Sequence, residues 1–203
     1  MMTVYSAPNT RAIRVIWVLE EIGAKAEIKS MPYPPRQHAP DYFAVNPTGM
    51  VPLLIDGEVR LSESMAICDY LATRHGSPLV VATDDPERAP FLQWLWYGES
   101  TLMTPLSRLN IARQVEGKGG PGIDDLIAGA RDHVAGRLKM LEQRLEGRDF
   151  LAAGRLTLAD ISVSYPLHLV GMLDLDDLLG PRSGAYRERL RARPAYQRAL
   201  AVA

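Results

Sequence analysis

The sequence predicts two domains, an α/β domain followed by an all-helical one, and three features lead to that prediction. Residues 1–76 follow the order β-α-β-(loop)-β-β-α, which a mixed sheet with helices packed against it accommodates economically. The next stretch, "SPLVVATDDPER", has the composition of a connector. Every periodic segment after it is helical. We therefore place the α/β domain at 1–78, a linker at 79–87 and the helical domain at 88–203.

The first domain begins with a strand, a helix and a second strand. Residues 2–5 form a short strand, and the turn and cap formers of "SAPNT" follow it. In "RAIRVIWVLEEIG" apolar residues recur at i, i+3, i+4 and i+7, and Gly23 is placed to end the helix. "AEIKSM" is the second strand, and five of the fifteen prolines then fall within 32–47. That proline density predicts a loop or a broken helix.

A hairpin and a helix complete the first domain. "VPLLIDGEVRL" contains two strand runs around Asp-Gly, which is a strong short-range hairpin signal. "SESMAICDYLATRHG" has helical spacing, with Ser62 as the expected N-cap and Gly76 after the helix end. Cys68 lies in the middle of this helix, and we expect it to be a small core residue.

The second domain is predicted to begin with two long helical segments. Residues 87–114 are helical in pattern, with an interruption near Pro105, and "EGKGGPG" at 116–122 is a loop. Residues 124–146 form a long helix with an apolar stripe along one side. The stripe comprises Leu126, Ala130, Val134, Leu138, Leu141 and Leu145.

A central helix is predicted at 157–173, because this segment is apolar nearly all round. "TLAD" at its start is a capping box, with Thr157 as N-cap and Asp160 at the third helical position. Two shorter helices are predicted at 184–192 and 195–202. The segment 87–114 carries Trp94, Trp96 and Tyr97. Because their spacing prevents all three from facing the same way, we expect at least one of them to serve the core or a dimer contact.

The composition excludes several classes of protein. A net charge of −1 gives no global field that favours nucleic acid or an anionic membrane. No apolar run approaches the length of a membrane span, and "TVYSAP" has none of the features of a signal peptide. A single cysteine excludes an internal disulfide framework and a Cys-x-x-Cys redox or zinc motif. We expect a cytoplasmic protein that uses no metal, nucleic acid or membrane.

One proline lies where a buried strand is predicted. In "NPTGMVPLLI", Val51 and the residues after Pro52 suit a pleated, buried surface, yet proline donates no backbone hydrogen bond. One interpretation is an edge strand whose proline prevents pairing with another chain.

Four patterns occur in order, "NPTGMVPLLIDG", "LSESMAICDYL", "LTLADISV" and "RPAYQRA", and together they resemble the glutathione transferases. This resemblance implies a second interpretation of the proline, in which a ligand pairs with the backbone at Val51 as an added strand does. It also implies a thioredoxin-like first domain with a cis bond at Val51–Pro52. It also implies that Val51 pairs with the cysteinyl backbone of glutathione. Glu63 and Ser64, at a predicted helix start, would hold the γ-glutamyl end, since such a start attracts anions. Both residues are also ordinary first-turn residues.

The resemblance implies further contacts and partners. Gln37 and His38 lie where such proteins often bind the glycyl carboxylate, although a loop histidine is more often only solvated. Met50 occupies a position that is often lysine, so one charge contact is expected to be missing. The implied protein is a homodimer that joins glutathione to a small hydrophobic electrophile. Alternatives are a glutathione-dependent peroxidase or disulfide reductase, and a binding protein that retains the fold without turnover.

The thiol of glutathione titrates near pH 8.5, so a transferase needs a hydrogen-bond donor that favours the thiolate. The resemblance places this donor within "YSAPNTRAIR". Thr10 and Asn9 are the first candidates and Ser6 is the third. Simple N-capping of the first helix explains Thr10 and Asn9 equally well and is compatible with thiol donation. Tyr5 is expected to be structural.

Overall fold

A computed structural model of the chain describes residues 1–114 and 122–202. They form two compact units, of which the first comprises Met1–Val80 and the chain from Arg191 onward, and the second comprises Val81–Leu190. The loop predicted at 116–122 lies outside the described residues except for Gly122. In the described part of the chain, no helix is both long enough and apolar enough to cross a bilayer.

The first unit contains a four-stranded mixed sheet. Its strands are β1 Met2–Ser6, β2 Ala26–Ser30, β3 Leu53–Asp56 and β4 Val59–Leu61. They lie in the order β2-β1-β3-β4, and β1 runs parallel to β2 but antiparallel to β3. The hairpin of β3 and β4 turns at Gly57, which has a positive φ of 61°. The predicted α/β organisation is therefore confirmed.

Helices of the first unit pack on this sheet and on each other. They are α1 Ala12–Ile22, α2 Pro35–His38, α3 Ser64–Arg74 and, at the chain end, α9 Pro194–Val202. α1 is buried from Ala12 to Leu19 and contacts both α3 and α9. The proline-rich stretch holds α2 and a 3₁₀ helix at Pro40–Ala44, which is the broken helix expected there.

The second unit contains helices and no strand among its described residues. Its helices are α4 Arg88–Trp96, α5 Met103–Gln114, α6 Ile123–Arg144, α7 Leu158–Met172 and α8 Pro181–Arg191, with a 3₁₀ helix at Asp176–Leu178. The capping box is present at the start of α7: Asp160 accepts hydrogen bonds from the Thr157 N–H and hydroxyl at 2.8 and 2.9 Å. α7 is buried along nearly its whole length, as the sequence predicted.

Four local predictions need correction. Ser62 is not the cap of α3, because the chain is still extended at Glu63, which is the N-cap. β3 begins at Leu53, since Pro52 cannot donate to the ladder. The interruption before α5 is a π-helical turn at Tyr97–Leu102, whose wider winding lies directly ahead of Pro105. Leu126 is 47% exposed, because α6 packs only from Ala130 onward.

Candidate functional site

Strand pairing brings two of the predicted site segments together. β1 and β3 are antiparallel, and Tyr5 lies opposite Leu53. The carboxyl end of β1 therefore lies beside the amino end of β3. Since residues 7–10 follow β1 and Pro52 leads into β3, the two segments leave the sheet next to each other. β3 lies between β1 and β4, so Pro52 precedes an interior strand rather than an edge strand.

A buried hydrogen bond joins the start of α3, which carries Glu63 and Ser64, to α1. Ser64 is the first residue of α3, and its hydroxyl accepts a hydrogen bond from Arg14 Nη1 of α1 at 3.1 Å. Arg14 is 0% exposed and Ser64 3% exposed. Glu63 is exposed and makes no side-chain capping bond to the helix. The start of α3 therefore combines a buried cationic group, a hydroxyl, free first-turn N–H groups and an exposed carboxylate.

The loop before β3 is fixed through the carbonyl group of Met50. Tyr42 donates its hydroxyl hydrogen to this oxygen at 3.0 Å, and Asn46 donates from Nδ2 at 2.8 Å. Burial raises the pKa of Tyr42 and outweighs the opposing effect of Asn46, so the hydroxyl stays protonated and remains a donor. The Val51–Pro52 peptide bond that follows is cis, the geometry that the resemblance implies.

The backbone at Val51 differs from that of its neighbours. Its N–H and C=O have no hydrogen-bond partner among the described residues, although the residue is only partly exposed. Because a partly buried amide normally finds a partner, this residue is suited to pair with an extended peptide.

Gly49 shows how closely α2 approaches the loop. Its φ is +62°, and a Cβ added there would lie 2.8 Å from the Phe43 ring and 3.0 Å from the Cβ of Arg36. A side chain at this position would be both strained and obstructed. Gln37 and His38 directly follow Arg36, and both are exposed. The two predicted carboxylate-binding side chains therefore belong to a helix that packs against the loop.

The three candidate thiol donors lie in different environments. Thr10 is 6% exposed, donates its hydroxyl hydrogen to Ala7 O at 2.7 Å and accepts the Ala12 N–H at 3.3 Å. Ser6 is 0% exposed, and its hydroxyl has no hydrogen-bond partner among the described residues. Asn9 is exposed and has a left-handed φ of 57°. Thr10 thus binds the first N–H of α1 from the position before the N-cap residue Arg11, while Asn9 is exposed.

Several residues that the sequence singled out have packing roles. Tyr5 packs against Tyr42 with ring centroids 5.2 Å apart, and Cys68 is fully buried. Trp94 and Tyr97 are buried with their ring centroids 4.6 Å apart, so the core role expected for at least one aromatic of this group is confirmed. Trp96 is 59% exposed.

Two family models match the chain. The N-terminal domain of glutathione S-transferase matches residues 1–73, and the C-terminal domain of glutathione S-transferase matches residues 124–194. A probable glutathione S-transferase of Oryza sativa subsp. japonica is 31% identical over 93% of this chain and 90% of its own length. A glutathione S-transferase of Arabidopsis thaliana is 26% identical over 97% of this chain and 95% of its own length.

Solved structures agree with these matches. A glutathione transferase from Methylococcus capsulatus is similar with a TM-score of 0.83 and 28% identity, covering 99% of this chain and 98% of its own. A sphingomonad glutathione S-transferase complexed with glutathione has a TM-score of 0.82 and 27% identity, covering 98% of this chain and 97% of its own. The sequence motifs, the mixed sheet and both domain matches agree, and the chain belongs to the glutathione S-transferase family.

Proposed function

We propose that this protein is a glutathione transferase that binds glutathione in its first unit and activates the thiol for attack on a hydrophobic electrophile. The observation that carries the proposal is the unpaired backbone of Val51, beside the end of β1. An extended peptide pairs with such a residue as an added strand does. The glutathione-bound sphingomonad relative supports glutathione as that peptide.

The ligand's three parts find complementary groups. Val51 pairs with the cysteinyl backbone, next to the cis bond that precedes Pro52. Ser64 and the first-turn N–H groups of α3 receive the γ-glutamyl carboxylate, because a helix start favours an anion. Glu63 receives the ammonium group. Gln37 and His38, exposed on α2, receive the glycyl carboxylate at the other end.

Among the candidate thiol donors, we favour Asn9 over Thr10 and Ser6. The Thr10 hydroxyl hydrogen is donated to Ala7 O, so donation to sulfur would break a 2.7 Å hydrogen bond. Ser6 is fully buried, whereas Asn9 is exposed at the start of the loop-to-helix turn. A carboxamide N–H that stabilises the thiolate by two pKa units supplies about 2.7 kcal/mol.

The first experiment titrates bound glutathione by the ultraviolet absorbance of its thiolate. We expect Asn9→Ala to raise the thiol pKa, so that activity falls more at neutral than at alkaline pH. The loss is partial, because a thiolate of higher pKa is intrinsically more nucleophilic. Tyr5→Phe is the matched control and should leave the titration unchanged, since Tyr5 packs against Tyr42.

Thr10→Ala distinguishes a structural role of Thr10 from thiol donation. Loss of its hydrogen bond to the Ala12 N–H should lower the free energy of unfolding by about 1 kcal/mol without moving the thiol titration. The assignment to Asn9 would be refuted if Thr10→Ala or Ser6→Ala changed the thiol pKa of bound glutathione while Asn9→Ala left it unchanged.

A second candidate function is a binding protein of the same fold with little turnover. The specific observation in its favour is that the Thr10 hydroxyl is already engaged and the Ser6 hydroxyl is buried. Kinetics with an aromatic halide and with an organic hydroperoxide separate a transferase, a peroxidase and a binding protein. As the family resemblance implies, we further propose that the protein is a cytoplasmic homodimer, which sedimentation velocity and cell fractionation test.

A further inference from the structure

The helical unit contains a cavity of about 310 Å³ that the proposed function does not use. Its walls come from the π-helical turn, α5 and α6. The polar lining side chains are Ser100, Thr101, Thr104, Arg108, His133 and Arg137. No carboxylate is among the described residues that line it. The cavity therefore concentrates positive charge in a chain whose net charge is −1.

The two arginines of the cavity differ from five other arginines of the same unit. Neither Arg108, which is exposed, nor Arg137, which is half-buried, has a carboxylate within ion-pair distance in the described part of the chain. Other arginines of the unit form ion pairs with carboxylates: Arg131, Arg144, Arg182, Arg187 and Arg189. A bound anion would give both guanidinium groups the charge partner that they lack among the described residues.

Backbone oxygens already accept the hydroxyl hydrogens of Ser100 and Thr104, so the cationic side chains are the main hydrogen-bond donors to a ligand in the cavity. Ser100 donates its hydroxyl hydrogen to Trp96 O at 2.9 Å, and Thr104 donates to Ser100 O at 2.5 Å. These two hydroxyls therefore present acceptor oxygens. Tyr97 donates to the backbone oxygen of Arg137 at 2.9 Å and so holds α6 against the π-helical turn. π-Helical turns recur at functional sites.

We propose that this cavity binds a small dianion carrying a phosphate group, with Arg108 and Arg137 as its charge partners and His133 as a further donor. A guanidinium fork matches two oxygens of a phosphate, and two forks match a doubly charged group better than a single carboxylate. The volume lies at the small end of ligand pockets, which favours a compact ligand. The protonated hydroxyl of a sugar or glycerol phosphate suits the acceptor oxygens of Ser100 and Thr104.

The test is isothermal titration calorimetry of the full chain at low ionic strength. The probes are inorganic phosphate and glycerol 3-phosphate, with acetate as the monoanion. We expect both phosphates to bind at least tenfold more tightly than acetate. Tighter binding of glycerol 3-phosphate than of inorganic phosphate would identify a phosphate ester as the ligand. Arg108→Met and Arg137→Met should each weaken phosphate binding at least tenfold. Arg148→Met, at an exposed position outside the cavity, should not weaken it.

Two other outcomes overturn the proposal. If calorimetry detects no binding of phosphate, the cavity is not a phosphate site. If phosphate binds equally well to Arg108→Met and Arg137→Met, the bound anion lies elsewhere. Arg108→Lys keeps the charge and should retain part of the affinity, so it separates lost recognition from misfolding, which circular dichroism monitors. If wild type binds no phosphate and Arg108→Met alters the sedimentation coefficient, the cavity is a contact between copies of the chain and the ligand assignment is wrong.

Discussion

The buried hydrogen bond between Arg14 and Ser64 determines what the Ser64 hydroxyl can do. Arg14 donates to Ser64 Oγ at 3.1 Å through its cationic guanidinium group. One lone pair of the oxygen is therefore occupied by a cationic donor, and the hydroxyl hydrogen is left to point toward another acceptor. A carboxylate at the start of α3 is such an acceptor, and the nearby positive charge strengthens its binding.

Replacing Ser64 or Arg14 should cause coupled losses of glutathione affinity. Ser64→Ala should weaken binding by about 1.5–3 kcal/mol, the range for a hydrogen bond to a charged group. Arg14→Met should weaken it by a similar amount because it acts through the same hydroxyl. The double variant should lose no more than the worse single variant, and calorimetry on all four proteins gives the coupling energy.

Folding controls are needed because Arg14 is fully buried. Arg14→Lys retains the charge, and thermal unfolding of each variant shows whether the unit is intact. Strictly additive losses in folded proteins would mean that Arg14 does not act through Ser64. Unchanged affinity in Ser64→Ala would instead refute the role of Ser64 itself.

At the scale of residues, local motifs in the sequence mark the candidate site residues that belong to contiguous patterns, but they do not mark residues whose partners are distant along the chain. Val51, Pro52 and Ser64 belong to contiguous patterns. Arg14 lies three and four residues before the buried Trp17 and Val18, so helical spacing indicates that it faces the core. Its partner lies 50 residues away along the chain, and no periodicity identifies such a pair.

At the scale of elements, α9 is held on α1 by an ion pair and an aromatic contact. Arg193 donates to both carboxylate oxygens of Glu21 at 2.7 and 2.9 Å. The rings of Trp17 and Tyr196 meet edge to face with centroids 4.9 Å apart. Burial raises the pKa of Glu21, but the hydrogen bonds from Arg193 and Trp17 outweigh it, so the pKa lies below 4.5.

A lowered carboxyl pKa gives a definite pH dependence. Glu21 stabilises the folded chain at pH values above 4.5, and this contribution disappears as the pH falls through the lowered folded value. Glu21→Gln should reduce the free energy of unfolding by about 1 kcal/mol at pH 7, a modest loss because Arg193 is 35% exposed. Urea unfolding on both sides of pH 4.5 should show the difference from wild type shrinking at the acidic end.

Glu20 provides the matched control for this prediction. It pairs with Arg198, which is 57% exposed, so Glu20→Gln should cost less than about 0.5 kcal/mol. Equal losses in both variants, or a Glu21→Gln loss that grows as the pH falls, would contradict the assigned role of Glu21.

Helices were predicted best where the spacing of apolar residues is strongly periodic, and least well where the winding changes from α-helical to π-helical. The spacing of apolar residues indicated α1, α6 and α7, but it carries no signal for the π-helical turn. There, a Cβ on Gly98 would lie 2.5 Å from Ser162 Oγ, and Ser162 donates to Leu95 O at 2.7 Å. The close approach of another helix, rather than local preference, accompanies the change in winding.

At the scale of the whole molecule, ligand binding and unfolding are linked. A ligand that binds only the folded chain stabilises it by RT ln(1 + [L]/Kd), which is about 2.7 kcal/mol at a hundredfold excess over Kd. For a chain of 203 residues we expect the unfolding midpoint to rise by about 5–10 °C. Ser64→Ala at the same glutathione concentration should show a smaller rise, because its Kd is larger. Arg148→Met should match wild type, since Arg148 is exposed and lies outside the first unit. Scanning calorimetry measures all three midpoints, and a glutathione-independent midpoint in wild type would contradict glutathione binding itself, whatever the outcome at the phosphate cavity.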